Sequence, residues 1–211
     1  MLAINTAFMT ANIALKSDNK VFFRDVDAKS KHSENVLKVI DELCQEAEVD
    51  IMDIDVLSVV LGPGSFTGLR IGTAIAQALG CANKTLKFVG VSSLELMAYI
   101  IAKNKLNKNE EFICVINALS DLFFVAKFDE NGNILTEQQI IGKDEFESLN
   151  QPVFALKDDL PKYNLQTVEI SCETLLEYSI IKAEKQEFLS QEEMMPIYLR
   201  ASQAEDSLKN K

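Results

Sequence analysis

Gly62-Pro63-Gly64-Ser65-Phe66-Thr67-Gly68-Leu69-Arg70-Ile71-Gly72 decides how this chain is to be read. It begins where the apolar run Val56-Leu57-Ser58-Val59-Val60-Leu61 stops. That run is short, rich in valine and leucine and ended by Gly-Pro, which predicts a buried strand. Gly62 and Gly64 permit a tight turn. Ser65 is placed to cap a helix by accepting a hydrogen bond from an amide of the first turn. The helix then carries Gly68, Gly72, Ala76 and Gly80 four residues apart, on one face. Each interior glycine costs roughly 1 kcal/mol of helix propensity relative to alanine. A neighbour packed tightly against that smooth face would offset the cost.

Amides at a helix start attract phosphate, so strand, glycine loop and helix raise the question of a nucleotide. The P-loop pattern fails, because the segment has no lysine and the wrong glycine spacing. The dinucleotide fingerprint fails because Thr67 stands where its third glycine belongs. Arg70 is the single cation. Two readings of Gly62, Gly64 and Ser65 stay open: a phosphate contact, or a structural strand-to-helix turn.

Toward the N-terminus, Leu2-Ile4, Asn12-Leu15 and Val21-Asp25 read as strands, with a hairpin turn at Ser17-Asp18-Asn19-Lys20. A helix follows over about Ser33-Glu46, with Val36, Leu37, Ile40, Leu43 and Cys44 at helical spacing. Toward the C-terminus, Phe88-Val91 is a strand, and Ser92 with Glu95 forms a capping box for a helix reaching about Lys103. The order is βββαβαβα. Asn104-Glu111 is a polar linker, giving domains 1–104 and 105–211. Phe112-Asn117 opens the second half, and Leu122-Phe128 and Ile134-Ile141 flank the turn Asp129-Asn133 as a hairpin. Beyond it the pattern thins to one helix within Glu173-Phe188, so the C-terminal half is expected to be reduced, with a frayed tail from Ser202. No sequence period repeats.

The Gly62-Gly72 segment resembles the signature of the bacterial TsaB family, also called YeaZ. Leu2-Ala3-Ile4-Asn5-Thr6-Ala7, Lys31-His32-Ser33-Glu34 and Pro196-Ile197-Tyr198-Leu199-Arg200 agree with it in order and spacing. The resemblance is strong in the N-terminal half and weak from about Lys103 to Glu193. It implies an α/β fold of the actin, hexokinase and Hsp70 superfamily (ASKHA) in two lobes. It also implies the non-catalytic dimerisation subunit in making threonylcarbamoyladenosine at position 37 of tRNA. The implied partners are the catalytic paralogue TsaD as a heterodimer and the ATPase TsaE, with a homodimer when the chain is alone. Transfer RNA would be met only through the complex. No cofactor of its own is implied, although ATP or ADP could sit at the junction with TsaD near Gly62, Gly64 and Ser65.

Active enzymes of that superfamily resemble one another in two aspartates that hold hydrated Mg²⁺. Here Asn5 and Asn117 stand at those positions, and Leu119 stands where the family often has arginine. Asparagine is neutral and takes no proton, so both departures point away from phosphoryl transfer; a turn-forming role is the simpler account. His32 is the only histidine and cannot form the paralogue's H-x-x-x-H metal pair. It is read either as an interface residue or as an exposed residue of the helix start. No G-x-S-x-G elbow is present. No catalytic residue and no metal ligand is therefore expected.

The formal charge of −11 repels phosphate backbones. Cys44, Cys81, Cys114 and Cys172 are widely spaced within apolar segments, which predicts buried free thiols in a reducing cytosol. No run is long enough to cross a membrane and the N-terminus lacks a signal pattern, so a cytoplasmic protein is expected. Two helices of the N-terminal half, Ser33-Glu46 and Phe66-Leu79, look apolar most of the way round, so each should be buried on two sides. The second side packs either on a partner or under the second lobe. Combined with the resemblance, this nominates His32, Val36, Leu37, Ile40, Phe66, Leu69, Arg70, Thr73, Ala76 and Gln77 as the partner interface. The competing reading is a small kinase or ATPase of the same fold.

Overall fold

The computed structural model describes residues 1–27 and 32–197, and the side chains of all of these but 32–34. The chain divides into two units, Met1–Leu96 with Ile170–Pro196, and Met97–Glu169 with Ile197 as the last described residue. The division between Leu96 and Met97 lies within the helix that begins at Ser93 rather than at the expected 104, and the C-terminal helix returns to the first unit.

The first unit is built on a five-stranded sheet in the order β3-β2-β1-β4-β5. Its strands are β1 (Leu2–Asn5), β2 (Thr10–Ser17), β3 (Lys20–Asp27), β4 (Val56–Gly62) and β5 (Lys87–Ser92). The first three are antiparallel, and β4 and β5 run parallel to β1. The helices are α1 (His32–Ala47) and α2 (Phe66–Ala82), with the start of α3 (Ser93–Lys103), whose residues from Met97 on belong to the second unit. The expected βββαβαβα order is therefore present. α3 starts as its sequence predicts, with the Glu95 amide donating to Ser92 Oγ at 3.4 Å.

Side chains of a strand alternate between faces, and the register sorts them. Ala3, Asn5, Asn12, Ala14, Asp25 and Ser58 share one face. α5 (Cys172–Glu184) covers it, joined by the Ser58–Ser179 hydroxyl contact at 2.7 Å. Small residues Ala3, Ala14 and Ser58 on this face let α5 approach closely. The opposite face presents Leu2, Ile4, Ile13, Leu15, Leu57 and Val59, all fully buried. α1 packs there on β2 and β3, and α2 on β4.

The second unit repeats this strand plan. Its sheet has the order β10-β9-β6-β7-β8, from β6 (Glu111–Asn117), β7 (Leu122–Asp129), β8 (Gln139–Gly142), β9 (Val153–Leu156) and β10 (Gln166–Val168). β6, β7 and β8 are antiparallel, and β9 and β10 are parallel to β6. The expected reduction thus falls on the helices rather than the sheet. A five-residue helix α4 (Lys143–Glu147) follows β8, and the β9–β10 connection holds no helix. Phe123 stacks on Phe146 with ring centroids 4.1 Å apart, and Tyr163 meets both edge-on. That aromatic group lets one short helix and a loop cover the sheet. The expected strand over 134–141 begins only at Gln139. Before it, the Leu135 amide donates to Lys127 O and Thr136 Oγ1 accepts from the Lys127 amide, which closes the end of β7 with a short irregular stretch.

Candidate functional site

The β4–α2 junction is locked by the first loop of its own unit. Ser65 is the N-cap of α2 and its hydroxyl accepts from the Gly68 amide at 3.3 Å. The Ser65 amide donates to Ala7 O at 2.8 Å. Thr6 Oγ1 donates to Gly68 O at 2.6 Å. A Cβ added at Gly64 would come within 2.7 Å of Ala7 O, and one at Gly68 would overlap Thr6 O outright. Further along, a Cβ at Gly72 would lie 2.9 Å from Thr6 Oγ1 and 3.0 Å from Val59 Cγ1. The smooth glycine face is thus filled by the chain itself. Gly62 adopts φ 122°, closed to L side chains, ahead of a cis Gly62–Pro63 peptide. The Ser65 and Gly68 amides, two of those a phosphate would seek, are engaged within the unit.

Asn5 sits at the end of β1, fully buried. Its Oδ1 accepts from the Ala7 amide at 3.0 Å, and its Nδ2 donates to Asn12 Oδ1 at 2.9 Å. Asn12 Nδ2 donates to Asp25 Oδ1 at 2.8 Å, and the Cys172 thiol donates to the same oxygen at 3.1 Å. Burial, then the hydrogen bond and charge of Asp25, push the Cys172 thiol up to about 12.

In the second unit, Asn117 Oδ1 accepts from the Leu119 amide at 2.8 Å, and the Asn117 amide donates to Asp159 Oδ2 at 2.8 Å. Leu119, Ser120 and Asp121 all have positive φ, and Leu119 is exposed. Asn117 therefore shapes the β6–β7 turn, the role its residue type permits. Among the described residues no group of histidine, cysteine, aspartate or glutamate is placed to hold a metal ion.

The nominated interface residues separate into two sets. Val36, Ile40, Leu69, Thr73 and Ala76 are buried in the unit's own core. They face the sheet, because a helix on a sheet directs its i, i+3, i+4 stripe inward, and they are corrected here to core positions. Leu37, Phe66 and Arg70 are exposed and Gln77 is half-buried. The structure describes the His32 backbone only. Arg70 lies over the Phe66 ring, 4.0 Å from its centroid. The outward stripe of α2 is Phe66, Arg70, Ala74 and Ala78, spaced by four, with exposed Thr67 and half-buried Ile71 beside it. Thr67, Ala74 and Ala78 are absent from the nominated interface, although a helical projection from the glycine face places them opposite it.

A second feature escaped the sequence reading entirely. The segment 188–196 is clasped to α2 and β5. Leu189 pairs with Phe88. Gln77 Nε2 donates to Gln191 O at 2.7 Å and to Met194 O at 3.2 Å, and Gln191 Nε2 returns a bond to Gln77 O at 3.0 Å. Gln191 packs on Gly80, where a Cβ would come within 2.8 Å of it. Of the four cysteines, Cys44, Cys114 and Cys172 are buried as expected, but Cys81 is exposed on the last turn of α2. Among the described residues no helix is long and apolar enough to cross a membrane.

A family model described as TsaD, tRNA N6-adenosine threonylcarbamoyltransferase, matches residues 26–204. The chain is 32% identical over 134 residues to the tRNA threonylcarbamoyladenosine biosynthesis protein TsaB of Escherichia coli, covering 63% of this chain and 57% of that one. With the TsaB of Haemophilus influenzae it shares 30% identity over 125 residues, 59% of this chain and 52% of the other. The matches thus span little more than half the length of these curated relatives. The structure of YeaZ from Pseudomonas aeruginosa superposes with a TM-score of 0.77 at 20% identity, covering 94% of this chain and 98% of that one. That likeness concerns the fold.

Proposed function

The chain belongs to the family that the TsaD model describes and, among its members, to TsaB (YeaZ); on that premise we propose that it is the non-catalytic partner subunit in the threonylcarbamoylation of tRNA adenosine 37. In this reading it docks the catalytic TsaD of the same cell through the outer face of α2, and TsaE joins the assembly. The same face makes a homodimer when TsaD is absent, so the two pairings compete. A nucleotide at the subunit junction would then be held chiefly by the partner, since the Ser65 and Gly68 amides are engaged within this chain.

The observation that carries the reading is the outer face of α2. Over seventeen residues the helix has one charge, Arg70. Its outward stripe is one aromatic ring braced by that guanidinium, followed by alanines. Small side chains allow two helix backbones to approach closely, and an aromatic with an arginine is the usual anchor of an interface. Asn5 supports the non-catalytic part, because its amide is spent on the Ala7 amide and Asn12.

Light scattering after size exclusion tests this, on the chain alone and mixed with TsaD. Ala74→Asp places a charge in the middle of the stripe without touching the core. The expected result is a homodimer that yields to a heterodimer, with both lost in A74D at unchanged far-UV circular dichroism. A monomer indifferent to TsaD would overturn the reading. So would Mg²⁺-dependent ATP turnover by the isolated chain.

A further inference from the structure

We propose that Asn5, Asn12, Asp25 and Cys172 are positioning residues for the start of α2, a hydrogen-bonded row whose donors converge on the Asp25 carboxylate and that fixes the loop on which α2 is seated. The row crosses three strands in register: Asn5 lies opposite Asn12, and Asn12 opposite Asp25. It ends on α5 at Cys172. At its other end, the residue whose amide Asn5 accepts, Ala7, uses its carbonyl to hold the Ser65 amide. Four elements and the cap of α2 are thereby joined through one continuous set of polar contacts.

The direction of the row is dictated from both ends. A backbone amide can only donate, so the Asn5 oxygen must face Ala7 and its NH₂ must face Asn12. The Asp25 carboxylate can only accept, so the Asn12 NH₂ must face Asp25 and its oxygen must face Asn5. The two requirements agree, and each amide has one orientation. Asn5 and Asn12 are buried, so a reversed amide would find no water to replace a lost partner.

This polarity gives an asymmetric prediction. Asn5→Asp still accepts from Ala7 but has no proton for Asn12. Asn12 must then turn its NH₂ toward residue 5 and its oxygen toward the Asp25 carboxylate, acceptor against acceptor. Asp25→Asn alone changes little, because an asparagine oxygen there still accepts from Asn12 and from Cys172. Together, N5D and D25N reverse the two amides: residue 25 donates to Asn12, Asn12 donates to residue 5, and the Cys172 thiol keeps the Arg24 carbonyl, 3.3 Å away, as its acceptor. The net charge of the double variant equals that of the wild type.

The inference rests on the docking reading only for its consequence, since the row itself lies within the first unit. Hydrogen exchange of the Ser65 amide reads the row directly, and association with TsaD reads the consequence. N5D is expected to lower Ser65 protection at least about tenfold, the effect of one buried polar group left unpaired. D25N should stay within about twofold of wild type, and N5D/D25N should recover to within about threefold. Should N5D fail to fold, a folded double variant supports the row and an unfolded one overturns it. Unaltered protection in N5D, or no rescue by D25N, likewise overturns it. If protection falls and is rescued while association never changes, the row stands and the docking role of α2 falls.

Discussion

Asp159, half-buried in the connection between β9 and β10, is a carboxyl that a short loop must satisfy. Burial raises its pKa above the usual carboxylate value, and the Asn117 amide pulls the other way. A carboxyl raised in the folded state contributes stability below its unfolded pKa, and that contribution is lost as pH rises through the folded pKa. The window therefore opens at about pH 4 and extends upward. Asp159→Asn keeps an oxygen for the Asn117 amide and removes the titration. Urea unfolding should show D159N gaining on the wild type between pH 4 and pH 7, and a difference independent of pH would contradict the assignment. At this scale the sequence was only half legible. That Asn5 and Asn117 lack charge is evident from their letters. That Asn5 answers to Asp25 and Cys172 is not, because the partners are brought together by strand register and by a helix 147 residues from Asp25.

Elements were legible where their signals are local. The cap at Ser65, the Ser92–Glu95 pair and the turn at Asp18 each lie within a few residues of what they control. β9 and β10, of four and three residues, are too short to show a period, and α4 completes little more than one turn. Their places are set by pairing of β9 with β6 and of β10 with β9, and by the Phe123–Phe146–Tyr163 contacts. The glycine face of α2 demands a close neighbour, and its neighbour is the Asn5–Ala7 loop and β4. Two glycines on it should respond differently to alanine. Each substitution gains roughly 1 kcal/mol of helix propensity. At Gly68 the new Cβ meets the Thr6 carbonyl, part of the backbone, whereas at Gly72 it meets side-chain atoms of Thr6 and Val59. Gly68→Ala should lose about 2 kcal/mol or more and Gly72→Ala about 1 or less, the range seen for overpacking. Thermal denaturation of the two variants decides it, and equal melting temperatures would refute the difference.

For the whole molecule, charge sets the expected behaviour toward nucleic acid. The formal net charge is −11, and Lys127, Lys143, Lys157 and Lys182 each lie within 4 Å of a carboxylate. The chain alone should retain no tRNA on a filter at about 0.15 M salt, because phosphate contacts dominate such binding and weaken as salt rises. Retention that falls steeply with added salt would reveal a basic surface and count against a subunit that meets tRNA only through its partner.

The discontinuity of the first unit sets an order of events during synthesis. Its sheet is complete once Ser92 has left the ribosome, but the helix that covers the Asn5–Asn12–Asp25 face is encoded from Cys172 onward. At roughly 5–20 residues per second, about 4–16 s separate the two. Throughout that interval the first unit's sheet lacks the helix that covers one of its faces. The unit made first waits for α5, and a nascent-chain arrest series should find its resistance to protease only after α5 has emerged.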